Sequence, residues 1–205
     1  FDPYSASKAA TEIAVESWRL SYCNKESKNY LPIKLATARA GNVIGGGDWA
    51  EGRIIPDCVK KWSKFRSVKI RNPISTRPWQ HVLEPLSGYI KLAKLLSTRR
   101  NDTNLTSAFN FGPKLGSNQT VRKLVKDCLF YWDGIVREEV NSNAPHEANL
   151  LNLSIDKSFH KLNWQPSWNF ETTVKRTIIW YKNVLVSKKD PLLCCLDDLE
   201  RYQKD

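Results

Sequence analysis

A short apolar run from Lys34 to Ala40, bounded by Pro32 and Gly41, leads straight into the stretch Gly41-Asn-Val-Ile-Gly-Gly-Gly-Asp-Trp49, and this junction most narrows what the chain can fold into. The run reads as a buried strand. Ahead of it, Ser5 to about Cys23 carries Ala6, Ala9, Ala10, Ile13, Ala14, Val15 and Trp18 near helical spacing, with Ser5 or Ser7 available as a cap. Helix, buried strand and glycine loop in succession predict alternating α/β structure, in which ligands bind beyond the C-terminal ends of parallel strands. The glycines match neither Gly-x-Gly-x-x-Gly nor a Gly-Lys-Ser/Thr phosphate loop, so a tight turn and a site loop both stay open.

The alternation continues along the chain. Helices are predicted from Arg53 to about Phe65, Glu84 to Ser97, Asn118 or Thr120 to Trp132, Asp156 to Leu162, and Phe170 to about Val186. Strands are predicted at Val68 to Arg71, Trp79 to Leu83, Ala108 to Gly112, Val136 to Val140 and Leu150 to Leu153. The last residues, after Asp190, read as a solvated tail.

Composition excludes some classes. With 41% hydrophobic residues in 205, one compact core or a domain plus a smaller lobe is affordable, and no run approaches the roughly 20 apolar residues of a membrane helix. The formal charge of +11 favours anionic partners, but the basic residues form no dense stripe, so a nucleic-acid partner is not expected. Five cysteines without a Cys-x-x-Cys fit a reducing, cytoplasmic setting. Three scattered histidines give no metal-ligand spacing, and His81, flanked by apolar residues, reads as a core histidine. There is no methionine, and the chain opens inside a helix that carries a candidate site, so a piece of a longer protein is expected.

That candidate is Tyr4 and Lys8, one helical turn apart on one face. An ammonium beside a phenol lowers the cost of ionising it, which suits acid/base work in hydride chemistry. The same helix is apolar on two faces, as expected of one packed between a sheet and a partner helix, and this points to a homo-oligomer.

Taken in order, Tyr4-Ser-Ala-Ser-Lys8, Arg39-Ala-Gly-Asn42-Val-Ile-Gly-Gly-Gly-Asp-Trp49, Ile54-Ile-Pro56, Arg77-Pro-Trp-Gln-His-Val82, Phe109-Asn-Phe-Gly-Pro113, Pro145-His-Glu147 and Leu162-Asn-Trp-Gln-Pro166 form a series. The series resembles the extended short-chain dehydrogenase/reductase superfamily, and within it the nucleotide-sugar 4,6-dehydratases, most of all the branch acting on CDP-glucose. The resemblance implies an α/β fold made of the C-terminal part of a Rossmann NAD-binding domain, at 1–40 and 79–112, with a nucleotide-sugar lobe at 41–78 and 113–190. It further implies NAD as cofactor and CDP-glucose as substrate, the product serving bacterial surface polysaccharide. The family's glycine-rich dinucleotide loop, acidic ribose-binding residue and Thr/Ser-Asp acid/base tripeptide have no counterpart in these 205 residues, so the piece is expected to be inactive by itself.

Carried over, Tyr4 resembles the tyrosine that takes the sugar 4-hydroxyl proton, and Lys8 the lysine that supports it and bonds the nicotinamide ribose. Ala40 falls at a cofactor-side position. Asn42 matches a substrate-contacting asparagine and Arg77 the arginine that grips the diphosphate, a task suited to a rigid, permanently charged fork. Arg53, Asn110 and His146 are further substrate candidates, although the arginine expected just before His146 is missing. A different nucleotide-sugar epimerase or dehydratase, and a non-catalytic module binding a nucleotide sugar or nucleic acid, remain as alternatives.

Overall fold

The computed structural model describes residues 2–98, 102–138 and 151–205. Helix α1 (Pro3–Tyr22) starts at Asp2, whose carboxylate accepts the Ser5 N–H at 2.9 Å while Pro3 takes the first helical position. The expected serine caps are therefore replaced by an Asp-Pro start, in which an extended aspartate satisfies an end N–H and proline lacks one to satisfy. Glu12 on α1 accepts from the Thr37 hydroxyl at 2.9 Å and pairs with Arg39 at 3.2 Å, so α1 lies alongside β1 (Thr37–Ala40). Gly41 alone separates β1 from β2 (Asn42–Ile44), a strand that the glycine content had hidden.

Next come α2 (Ile54–Trp62), β3 (Val68–Ile70), β4 (Thr76–His81), α3 (Leu83–Thr98) and β5 (Ala108–Phe111). They are followed by β6 (Asn118–Thr120), α4 (Val121–Cys128), β7 (Val136–Glu138), α5 (Asp156–Leu162), α6 (Phe170–Leu185) and α7 (Pro191–Lys204). Residues 151–155 have no regular secondary structure and join no ladder, which corrects the strand expected at Leu150 to Leu153; Leu150 and Val140 lie outside the described residues.

Three parallel pairings carry the α/β character: β1 with β5, β2 with β4, and β3 with β7. Strand β4 changes partner midway. Its first half runs antiparallel to β6, with Pro78 opposite Asn118, and from Trp79 onward it runs parallel to β2. Proline cannot donate to a ladder, and Pro78 stands at the changeover where that loss is tolerated. Buried Gln80 donates to the Phe111 carbonyl at 2.9 Å and so ties β4 to β5.

Two hydrophobic clusters form the core. The larger gathers Ile55, Val59, Trp62, Val68, Leu124, Phe170, Ile178 and Tyr181 from α2, β3, α4 and α6. The smaller holds Leu92, Leu105, Phe109, Phe111, Leu162 and Trp164. Leu162 and Trp164 thus pack with β5. Trp164 meets Phe111 edge-on at 4.9 Å, and the Ser158 hydroxyl donates to the Asn110 carbonyl at 2.5 Å.

Residues 191–205 are no tail. Helix α7 is capped by Asp190, whose carboxylate accepts the Leu192 N–H at 2.7 Å. Its inner face docks through Arg176, which donates to buried Asp198 at 2.6 Å, and through Tyr202, which donates to Glu84 at 2.8 Å. No helix among the described residues is long and apolar enough to cross a membrane.

Candidate active site

The first turn of α1, Gly41 with strand β2, the start of α2 and strand β4 enclose an open cleft of about 490 Å³. Tyr4, Asn42, Arg53 and Arg77 all line it, together with Asp48 and Trp79. Four residues distant in sequence therefore converge. Each arrives for a local reason: Tyr4 on the first turn of α1, Asn42 as the first residue of β2, Arg53 as the residue before α2, and Arg77 just ahead of the strand-switching proline.

Tyr4 is 72% exposed at the cleft, and the Lys8 ammonium lies over its ring, 5.7 Å from the centroid. Lys8 itself does not line the cleft, nor does Ala40, which ends β1 opposite Phe111. Asn110 is also set apart. Its amide donates to the Ser154 carbonyl at 3.1 Å, so it fastens the 151–155 segment to β5 while its buried Oδ1 has no partner. His146 lies outside the described residues.

Arg77 donates to the Thr76 carbonyl at 2.8 Å. Arg53 pairs with Asp48 at 3.1 Å, and the first residues of α2, Ile54 to Pro56, border the cleft beside it. Two guanidiniums, one carboxylate and a helix N-terminus make a site that favours an anion. Sequence reading passed over Asp48; the five-residue interval from Asp48 to Arg53, across a turn, was the available signal.

The glycine loop makes the tight turn that the sequence allowed, and it packs against α6 as well. A Cβ on Gly46 would lie 2.0 Å from the Trp180 ring, and Gly47 has φ +86°, so one glycine permits close packing and the next a left-handed turn. The buried Tyr181 hydroxyl donates to the Asp48 carbonyl at 2.6 Å and holds the loop at the cleft edge.

Other titratable groups are structural. His81 is buried against Trp168 at 4.8 Å, and burial, with the Arg176 cation nearby, pushes its pKa down to about 3. It stays neutral, accepting the Leu83 N–H at Nδ1 and leaving Nε2 without a partner, so the core placement holds while full satisfaction does not. Burial pushes the Cys58 thiol up to about 12, which removes it as a nucleophile. Among the described residues no group of three or more His, Cys, Asp or Glu side chains could hold a metal ion.

No protein-family model matches the chain. It is 39% identical over 203 residues to the CDP-glucose 4,6-dehydratase of Salmonella typhimurium, a match covering 98% of this chain and 56% of that protein. The chain thus spans a little over half the length of this curated relative. Among solved structures it superposes on RMD from Pseudomonas aeruginosa complexed with NADPH, with a TM-score of 0.69 and 17% identity over 92% of this chain and 58% of the other. The dTDP-glucose 4,6-dehydratase of Bacillus anthracis in complex with NAD gives 0.65 and 16% over 89% and 53%. The UDP-glucuronic acid 4-epimerase of Bacillus cereus, with UDP-glucuronic acid and NAD, gives 0.71 and 15% over 89% and 53%. Over 98% of its length the chain is similar in sequence to a CDP-glucose 4,6-dehydratase, and its α/β fold is that of the matching parts of these solved structures.

Proposed function

We propose that this chain forms the substrate-side part of an NAD-dependent CDP-glucose 4,6-dehydratase, a cytoplasmic enzyme whose CDP-4-keto-6-deoxyglucose product feeds bacterial surface polysaccharide synthesis. The observation that carries the reading is the convergence of Tyr4, Asn42, Arg53 and Arg77 on one cleft. The 39% identity to a protein of that activity supports the choice of CDP-glucose over other nucleotide sugars.

In this reading Arg77 and Arg53 grip the diphosphate, whose two charges match two guanidiniums. Asn42 orients the sugar so that its 4-hydroxyl meets the Tyr4 phenolic oxygen, which takes the hydroxyl proton as base. Lys8, one turn away and exposed, stands ready to hold the nicotinamide ribose. Exposed Tyr4 and Lys8 on one helix face fit that edge of NAD, whereas the chain offers no glycine cradle for its diphosphate. Held beside Tyr4 and Lys8, NAD would supply reversible hydride transfer with the sugar.

Loss of water across C5 and C6 needs a base and an acid that we assign to the remainder of a longer polypeptide, along with the dinucleotide loop. The 205 residues alone then have no turnover. Helix α1 has no buried residue, with Ile13 72% and Trp18 59% exposed, which supports its being covered by that remainder and by the same helix of a second copy.

The test joins the chain to its upstream half and replaces Tyr4 with Phe. Formation of the 4-keto product is expected to fall by about 10²- to 10⁴-fold, the usual weight of a positioned acid/base group, while CDP-glucose still binds. Retained turnover would remove Tyr4 from this role.

A further inference from the structure

The Asp48–Arg53 pair sits inside an anion-favouring cleft, where a carboxylate is the least expected lining group. Asp48 is held from three sides. Its Oδ1 accepts the Ala50 N–H at 3.0 Å, its carbonyl oxygen accepts the Tyr181 hydroxyl at 2.6 Å, and its Oδ2 faces Arg53 Nη1 at 3.1 Å. Around it, Trp49 packs edge-on against Tyr181 at 5.2 Å, and Lys60 donates to the Trp49 carbonyl at 2.6 Å. The Asp48 side chain is 31% exposed and that of Arg53 is 66% exposed, so a fixed carboxylate holds an otherwise loose guanidinium.

We propose that Asp48 is a positioning residue that fixes the Arg53 guanidinium at the cleft, so that its unoccupied N–H edge meets the diphosphate already oriented. The proposal rests on the diphosphate reading of the cleft. Two effects oppose each other. An arginine side chain has large rotamer freedom to lose on gripping an anion, and one ordered beforehand loses less. A carboxylate near a diphosphate repels it, but here that charge is neutralised by its own pair across 3.1 Å, so ordering wins. Only Arg53 can transmit the benefit.

The test is a double-mutant cycle read by calorimetric binding of CDP to the chain. Asp48→Asn keeps an oxygen for the Ala50 N–H and removes only the charge, and it is expected to weaken CDP binding by about tenfold. In an Arg53→Gln background the same change is expected to leave affinity unchanged or slightly raise it, since only the repulsion is then removed. Equal weakening in both backgrounds would mean that Asp48 acts through the loop backbone, and tighter binding by Asp48→Asn alone would mean that it competes for Arg53; either result overturns the proposal. Arg53→Lys gives a check that leaves Asp48 intact: lysine keeps the charge but has no second edge, so a comparable loss is expected, and full affinity would overturn the proposal. Failure of the parent chain to bind CDP at all would instead sink the diphosphate reading itself.

Discussion

Gly46 packs so closely on Trp180 that an added methyl group would overlap the indole ring, and Trp180 is itself 5% exposed and bonded through Nε1 to Cys195 Sγ at 3.3 Å. The ring has little room to withdraw. Gly46→Ala is therefore expected to destabilise the protein by about 1–3 kcal/mol, the usual range for overpacking, and a denaturant titration reads it directly. An unchanged midpoint would mean that the loop does not pack on α6. That glycines stood here was plain in the sequence, and so was a turn; what they turn against was not, because Trp180 comes from an element far along the chain. Asp48 was overlooked for a related reason: its three partners are a neighbouring amide, an arginine across a turn and a distant tyrosine, and only the second leaves a local trace.

Among the elements, α7 shows where periodicity fails. Its inward positions include Cys194, Asp198 and Tyr202, and a buried aspartate and a half-buried tyrosine do not register as a hydrophobic stripe, so the segment read as a solvated tail. What docks it is polar. Fully buried Glu84 on α3 accepts the Trp168 N–H at 2.7 Å, the Ser167 N–H at 3.1 Å and the Tyr202 hydroxyl at 2.8 Å. Burial raises the Glu84 pKa above its ordinary 4.5, only partly offset by these donors and by the Lys114 cation. A carboxyl with a raised folded-state pKa binds its proton more tightly in the native protein. Its contribution is therefore complete below pH 4.5 and declines as pH rises through the higher folded value. Glu84→Gln should remove that decline. It also places an amide N–H₂ where an acceptor is needed, leaving one donor unmatched, at a cost of about 1–3 kcal/mol near neutral pH. Unfolding midpoints of both proteins across pH 4 to 8 check this, and parallel curves would show that Glu84 does not titrate in that window.

At the scale of the molecule, the order of motifs along the chain was enough to anticipate an α/β fold, most helices and the meeting of Tyr4, Asn42, Arg53 and Arg77; the strand exchange at Pro78 and the allegiance of Trp164 to the smaller core were not, since both depend on pairings across the chain. The helix that opens the chain and the helices that fill its core differ sharply in what surrounds them. Ile13 and Trp18 on α1 stand in solvent, whereas Trp62 on α2 is 2% exposed, fills the larger cluster and donates from Nε1 to the Ile135 carbonyl at 3.4 Å. Deleting a buried indole typically costs about 3–5 kcal/mol, and a surface replacement stays within about 0.5 kcal/mol. Trp62→Ala should therefore bring the 205-residue chain close to unfolding, while Ile13→Lys with Trp18→Lys should leave its denaturant midpoint almost unmoved and reduce self-association in sedimentation experiments. A large stability loss from the α1 pair would mean that this helix is packed into the chain's own core, and the proposed covering by a second copy would fall with it.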